Sequence, residues 1–177
     1  MPHVPVHIKP HLVAFFFKEM EGEEINYLNF KAKAITLAFS SSLSKFLRIT
    51  LQKADIPVKL DNYRILLSIS DKREYKGSIY KLDNGSKHFL SLPEEINNDI
   101  NDLLEDIFRI AFIYYILGHS ESNSGKCVRA AVLRFIDNYE LLEFGFDVEG
   151  LRRMYYREVK NNSSMSRLAR KKNSAIK

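Results

Sequence analysis

Between Pro93 and Leu117 the apolar residues Ile96, Ile100, Leu103, Leu104, Ile107, Phe108, Ala111 and Tyr115 recur at intervals of three and four. A helix of 3.6 residues per turn places them on one side, and the alternating faces of a strand cannot. Pro93 followed by Glu94 and Glu95 suits a helix N-terminus. The proline lacks an N–H that the first turn would leave unpaired, and the carboxylates face the positive end of the helix dipole. Gly118 is expected to end this helix. After the polar stretch HSESNSG, a second stripe of Val128, Ala131, Val132, Phe135 and Ile136 predicts a helix over 126–139. The turn ELLEFGF follows, and Asp147 is a suitable N-cap for a last helix reaching about Lys160, with Val148, Leu151, Tyr155 and Val159 on its inner side. The last two helices, packed on the long one, have the size and order of a helix-turn-helix. Their connection, Glu140 to Asp147, spans eight residues, longer than the usual ~3–4.

The first half follows a different period. In HVPVHIKP, Val4, Val6 and Ile8 alternate with polar or proline positions, which predicts a strand, and Pro5 and Pro10 restrict it to a sheet edge. HLVAFFFKEMEG reads as a short helix ending at Gly22, with Leu12, Phe15 and Phe16 inward. From Phe30 to Ala54 there is no Gly or Pro. Ile35, Ala38, Phe39, Leu43, Phe46, Leu47 and Leu51 predict a helix there, interrupted where the serines of SSSLS compete for backbone hydrogen bonds. Alternating Ile65, Leu67 and Ile69, the turn DKREYKG and the strand SIYKL predict a β-hairpin over about Pro57 to Leu82. The fold class expected is therefore α+β: an N-terminal edge strand, helices and a β-hairpin packed with a C-terminal three-helix, helix-turn-helix-like module. The expected division is an α+β unit over 1–84, a helical unit over 85–160 and a basic flexible tail over 161–177.

Charge is distributed unevenly. From Leu151 to Lys177 there are nine Lys and Arg against one acid, Glu158, a net of +8. The preceding 150 residues hold 18 basic and 21 acidic residues, a net of −3. An acidic body with a basic end points to a polyanionic partner. On the last helix Arg153, Tyr156, Arg157 and Lys160 lie three and four apart, with Arg152 beside them. Guanidinium forks match phosphates and guanine edges, and tyrosine hydroxyls donate to phosphate oxygens. Arg167, Arg170, Lys171 and Lys172 extend the charge along a backbone or into a minor groove. The expected partner is nucleic acid, as duplex DNA. A homo-oligomer would suit two half-sites but nothing in the sequence requires one.

Other clusters point less far. His3, His7 and His11 are four apart, but Pro5 and Pro10 forbid the helix that would bring all three together, so no metal site is expected. Glu94, Glu95, Asp99, Asp102, Glu105 and Asp106 read as the solvated face of an amphipathic helix rather than a cation site. The single cysteine, Cys127, excludes an internal disulfide and reads as packing. There is no Walker loop, GxSxG, HExxH or Rossmann glycine pattern, so a non-enzyme without cofactor is expected. The prolines of MPHVPVHIKPHLV replace the apolar core of a secretion signal, and the longest apolar run, IAFIYYIL, is shorter than the ~20 residues that span a bilayer. A cytoplasmic protein without a membrane partner is expected. With 45% hydrophobic residues, including 12 Phe and 9 Tyr, the chain has enough bulk to fill a core.

The segments VPVHIKPHLVAFF and GKCVRAAVLRFIDNYELLEFGFDVEGLRRMYYREVK resemble a family of small uncharacterised proteins carried by phages, prophages and conjugative elements of gut Bacteroidota. Its members pair an I-P-V-K-P type start with a C-terminal helix of the type seen here as GLRRMYYREV; His7 and Ile8 interrupt the start in this chain. The resemblance covers both ends and the order of elements between them, and it carries over no functional residue. It implies a mobile-element context, in which small basic helical proteins regulate transcription, replication or excision. The expected function is a DNA-binding accessory or regulatory protein docking through its basic C-terminal helix and tail. The alternative is a phage or plasmid assembly protein that self-associates or pairs its edge strand with a protein partner.

Overall fold

The computed structural model describes residues 3–27, 30–54, 56, 58, 64–69, 89–122, 128–161 and 165–169. The architecture is α+β, and the chain separates into two compact units, Met1–Asn101 and Asp102–Lys177. The seam expected near Asn84 lies outside the described residues.

The first unit is built on a mixed sheet of four strands: β1 (His3–His7), β2 (Glu23–Tyr27), β3 (Phe30–Leu37) and β5 (Arg64–Ile69), in the order β1-β5-β3-β2. β5 runs antiparallel to β1 and parallel to β3, and β2 runs antiparallel to β3. Two short strands, β4 (Gln52–Ala54) and β6 (Phe89–Ser91), pair separately. Strand parity puts Val4, Val6, Ile35, Leu37, Ile65 and Leu67 on one face, and each is at most 6% exposed. Helix α1 (Pro10–Glu19) comes against β3, and the Lys33 ammonium lies 5.2 Å above the Phe17 ring. Tyr27, Ala34 and Leu66 pack together on the opposite face.

β1 is the edge strand that its prolines predict, and its C-terminal end is capped by side chains. Pro5 has no N–H to offer. Asn97 Oδ1 accepts from the His7 N–H at 3.0 Å, and Asn97 Nδ2 donates to the His7 carbonyl at 2.8 Å. Asn101 Nδ2 donates to the same carbonyl at 2.6 Å, and Asn101 Oδ1 accepts from the Lys9 N–H at 3.0 Å. Two side-chain amides thus satisfy the backbone where the strand ends.

The helix expected over Phe30–Ala54 is replaced by β3, helix α2 (Ser42–Thr50) and β4. β3 is covered on both faces, with Ala34 packed on Tyr27 and Leu66 and Ile35 buried on the other side, so the strand loses its simple alternation. The serines start α2 instead of breaking a helix: Ser41 Oγ accepts from the Ser44 N–H at 3.2 Å as the N-cap. The sequence reading also missed β2. Of the expected hairpin, the first strand is β5, but its two edges are taken by β1 and β3. The segment SIYKL lies outside the described residues.

Helix α3 (Glu94–Ser122) runs past Gly118, which is exposed with open space around it. A solvent-facing glycine costs a helix only about 1 kcal/mol, too little to end it. Leu103, expected inward, is 42% exposed. In the second unit, Phe108, Phe112, Ile113 and Ile116 of α3 are buried, together with Ala131, Val132, Phe135 and Ile136 of helix α4 (Val128–Asn138). Phe135 is the centre of an aromatic cluster. Its ring lies 5.0 Å from Phe112, 4.7 Å from Tyr139, 5.3 Å from Tyr115 and 5.8 Å from Phe108.

Candidate nucleic-acid interface

The interface is carried by α5 (Val148–Lys160), and the local sequence sets its start. After α4 the backbone takes the left-handed conformation at Glu140 (φ 53°) and again at Gly145 (φ 79°), bracketing a 3-10 turn over Leu141–Phe144. Glycine adopts that geometry without a Cβ clash. The Gly145 N–H donates to the Leu142 carbonyl at 3.1 Å and the Phe146 N–H donates to the Leu141 carbonyl at 3.2 Å, closing the turn. Asp147 then caps α5, its Oδ1 accepting from the Gly150 N–H at 2.6 Å. Asp147→Ala is expected to destabilise the second unit by about 1 kcal/mol and lower its melting temperature by a few degrees. An unchanged thermal melt would show that the cap is not needed to seat the helix.

Leu151, Tyr155 and Glu158 are the buried positions of α5. Val159, expected inward, is 43% exposed, and Glu158 takes the inner place instead. The reason is angular: from Leu151 the positions 155 and 158 continue one stripe at four and then three residues, whereas 159 drifts toward its margin. Arg153, Tyr156, Arg157 and Lys160 are exposed at spacings of three and four. Arg153 Nε donates to the Glu149 carbonyl at 3.4 Å, a long bond that leaves most of its fork to solvent. Arg157 Nη2 stands 4.0 Å from Glu158 Oε1, with the arginine side chain 63% exposed. The Tyr156 ring meets the buried Tyr155 ring edge-on at 5.3 Å.

Arg152 differs from the other site residues. Its Nη1 donates to both Glu149 carboxylate oxygens, at 2.8 and 3.1 Å. Glu149, and after it Tyr156, hold the guanidinium above its ordinary pKa. Arg167 falls in a 3-10 turn over Met165–Leu168. Arg170, Lys171 and Lys172 lie outside the described residues. Exposed Arg129 and Arg134 on α4 add positive charge in the same unit. Their signal in the sequence is weak, because the α4 segment also carries acid and the excess of positive charge begins only at α5.

No family model, curated protein or solved structure matches the chain.

The remaining clusters do not assemble a second site. His3 Nδ1 is 2.8 Å from Ser68 Oγ across the β1–β5 pair, and burial pushes the imidazole pKa down. His11 is buried in α1 and His7 is exposed at the end of β1. Glu94, Glu95, Asp99 and Asp102 are exposed, while Glu105 is buried and accepts from Arg109 Nε at 2.7 Å. Among the described residues no group of three or more His, Cys, Asp or Glu is placed to hold a metal ion. Cys127 is outside them. Among the described residues no helix is long and apolar enough to cross a membrane.

Proposed function

We propose that this chain is a non-enzymatic, cytoplasmic DNA-binding accessory or regulatory protein of a mobile genetic element, docking on duplex DNA through the outer face of α5. The observation that carries the reading is the division of that helix: Leu151, Tyr155 and Glu158 are buried, while Arg153, Tyr156, Arg157 and Lys160 share the exposed side. Supporting it is the net +8 of residues 151–177, set against a net of −3 over the preceding 150. Such a surface lowers the free energy of a phosphate backbone by releasing its condensed counterions. The mobile-element setting rests on the resemblance of VPVHIKPHLVAFF and GLRRMYYREV. The alternative as an assembly protein pairing through β1 is less favoured, because Asn97 and Asn101 hold the backbone of His7 and Lys9 at the end of that strand.

The test is a titration of labelled duplex DNA, single-stranded DNA and RNA at several salt concentrations. Duplex binding is expected to weaken linearly on logarithmic axes, with a slope of about −0.9 per neutralised phosphate and about −3 for the three cations of α5 alone. No duplex binding at low salt, or binding indifferent to salt, would reject the reading. A clear preference for single strands or RNA would move the partner to that class.

A further inference from the structure

Within the second unit, helix α3 is apolar on two sides. Phe108, Phe112 and Ile116 are fully buried. At about 100° per residue, Leu103, Ile107, Ile110, Tyr114 and Leu117 fall on the opposite side of the same helix. Leu103 is 42% and Tyr114 51% exposed, and Ile107, Ile110 and Leu117 are half-buried. Their spacing of four, three, four and three is the heptad rhythm by which two helices interlock side chains along a seam. Single exposed apolar residues are ordinary on a surface. Five in register, with no charged side chain inside the stripe, form a patch that calls for a partner. Gly118, one turn after Tyr114, leaves open space at the margin of the seam.

The partner that the stripe fits is its own copy. A two-fold interface sets one surface against itself. Two antiparallel copies centred on Ile110 bring Ile110 to Ile110, Ile107 to Tyr114 and Leu103 to Leu117, so every apolar position meets another. Charge sets the direction. Asp102 and Asp106 stand at one end of the seam, and Ile107 to Ser120 hold no acid. Parallel copies would bring these carboxylates together. Antiparallel copies set them against acid-free helix and oppose the two helix dipoles. The helix is already seated by its aromatic packing on α4, so association requires no helix formation. The seam is about 21 Å long. A single-helix contact of that length is smaller than the ~800 Å² per partner of a standard interface, which places the affinity in the micromolar range.

We propose that the protein self-associates as a two-fold dimer through this outer stripe of α3, with the two helices antiparallel. The proposal is independent of the duplex-DNA reading.

The test is analytical ultracentrifugation of the whole, nuclease-treated chain from about 1 to 200 μM, a range that brackets the expected affinity. A monomer–dimer equilibrium with a dissociation constant on the order of 10 μM is expected. It should be undiminished at about 1 M salt, because apolar contacts are not screened. Tyr114→Glu is expected to weaken it at least about tenfold by placing a charge in the seam. Tyr114→Leu should keep it within about threefold. Leu142→Glu, at an exposed apolar position outside the stripe, should leave it unchanged. All three replace exposed side chains, and a thermal melt of each checks the fold. In a Cys127→Ser background, Ile110→Cys is expected to form an intermolecular disulfide, and Leu103→Cys only when mixed with Leu117→Cys. A monomer throughout the range, as when another segment or a different protein covers the stripe, would overturn the proposal. So would an unweakened dimer in Tyr114→Glu, a dimer that dissolves in high salt, or a disulfide between two copies of Leu103→Cys.

Discussion

A protein carrying Arg153→Ala and Arg157→Ala together is expected to lose roughly fifty- to a hundredfold of its duplex-DNA affinity at about 0.1 M salt. Each arginine is exposed on α5, and neither fork is occupied: Arg153 makes one long contact to the Glu149 carbonyl, and Arg157 stands 4.0 Å from Glu158. Two phosphates fewer means about 1.8 less in the salt slope, so the loss should shrink toward 1 M salt, where counterion release vanishes. Stability should stay within about 0.5 kcal/mol of wild type, as for most surface changes. The measurement is a salt titration of both proteins with a thermal melt as control. Undiminished affinity with an intact fold would remove α5 as the docking element. A salt-independent loss would point to damage of another kind.

Phe135→Ala is expected to destabilise the second unit by about 3–5 kcal/mol. The side chain is 1% exposed and sits among Phe108, Phe112, Tyr115 and Tyr139, with ring centroids from 4.7 to 5.8 Å away. Its removal leaves a void between α3 and α4 that rigid aromatic neighbours fill poorly, so the cavity cost adds to the lost burial. Domains of this size have about 5–15 kcal/mol in all, so the melting temperature should fall by roughly 10 °C or more. Circular dichroism at the helical minimum reads this directly. A shift of only a degree or two would mean that the cluster relaxes around the gap and that α4 is seated by its aliphatic residues instead.

The same cluster shows what was legible beforehand. Val128, Ala131, Val132, Phe135 and Ile136 announce α4 from their spacing alone, and α4 spans Val128–Asn138 with four of the five buried. The cap at Asp147 and the turn at Gly145 were legible for the same reason: a carboxylate accepting from an N–H three residues on, and a glycine at positive φ, are local events. The basic face of α5 was legible as composition, but its division of labour was not. That Arg152 turns to the Glu149 carboxylate while Arg153 makes only a long contact to the Glu149 carbonyl depends on side-chain geometry that spacing does not specify.

The strands show the opposite case. Ile35, Ala38 and Phe39 have helical spacing, yet Ile35 lies in the strand β3, which ends at Leu37, because β2 and β5 pair with both edges of β3. Those hydrogen bonds come from partners distant in sequence, and they override a weak local preference.

By itself, then, the sequence determined the helical second half, the edge position of β1, the N-cap of α5 and the basic end of an acidic body, because each depends on neighbours within a turn or on a simple sum of charge. Only the tertiary structure decided that Phe30–Leu37 is a strand, that Asn97 caps the end of a strand 90 positions before it, and that Glu158 rather than Val159 turns inward. These outcomes depend on hydrogen-bond partners and packing surfaces that exist only once remote segments meet.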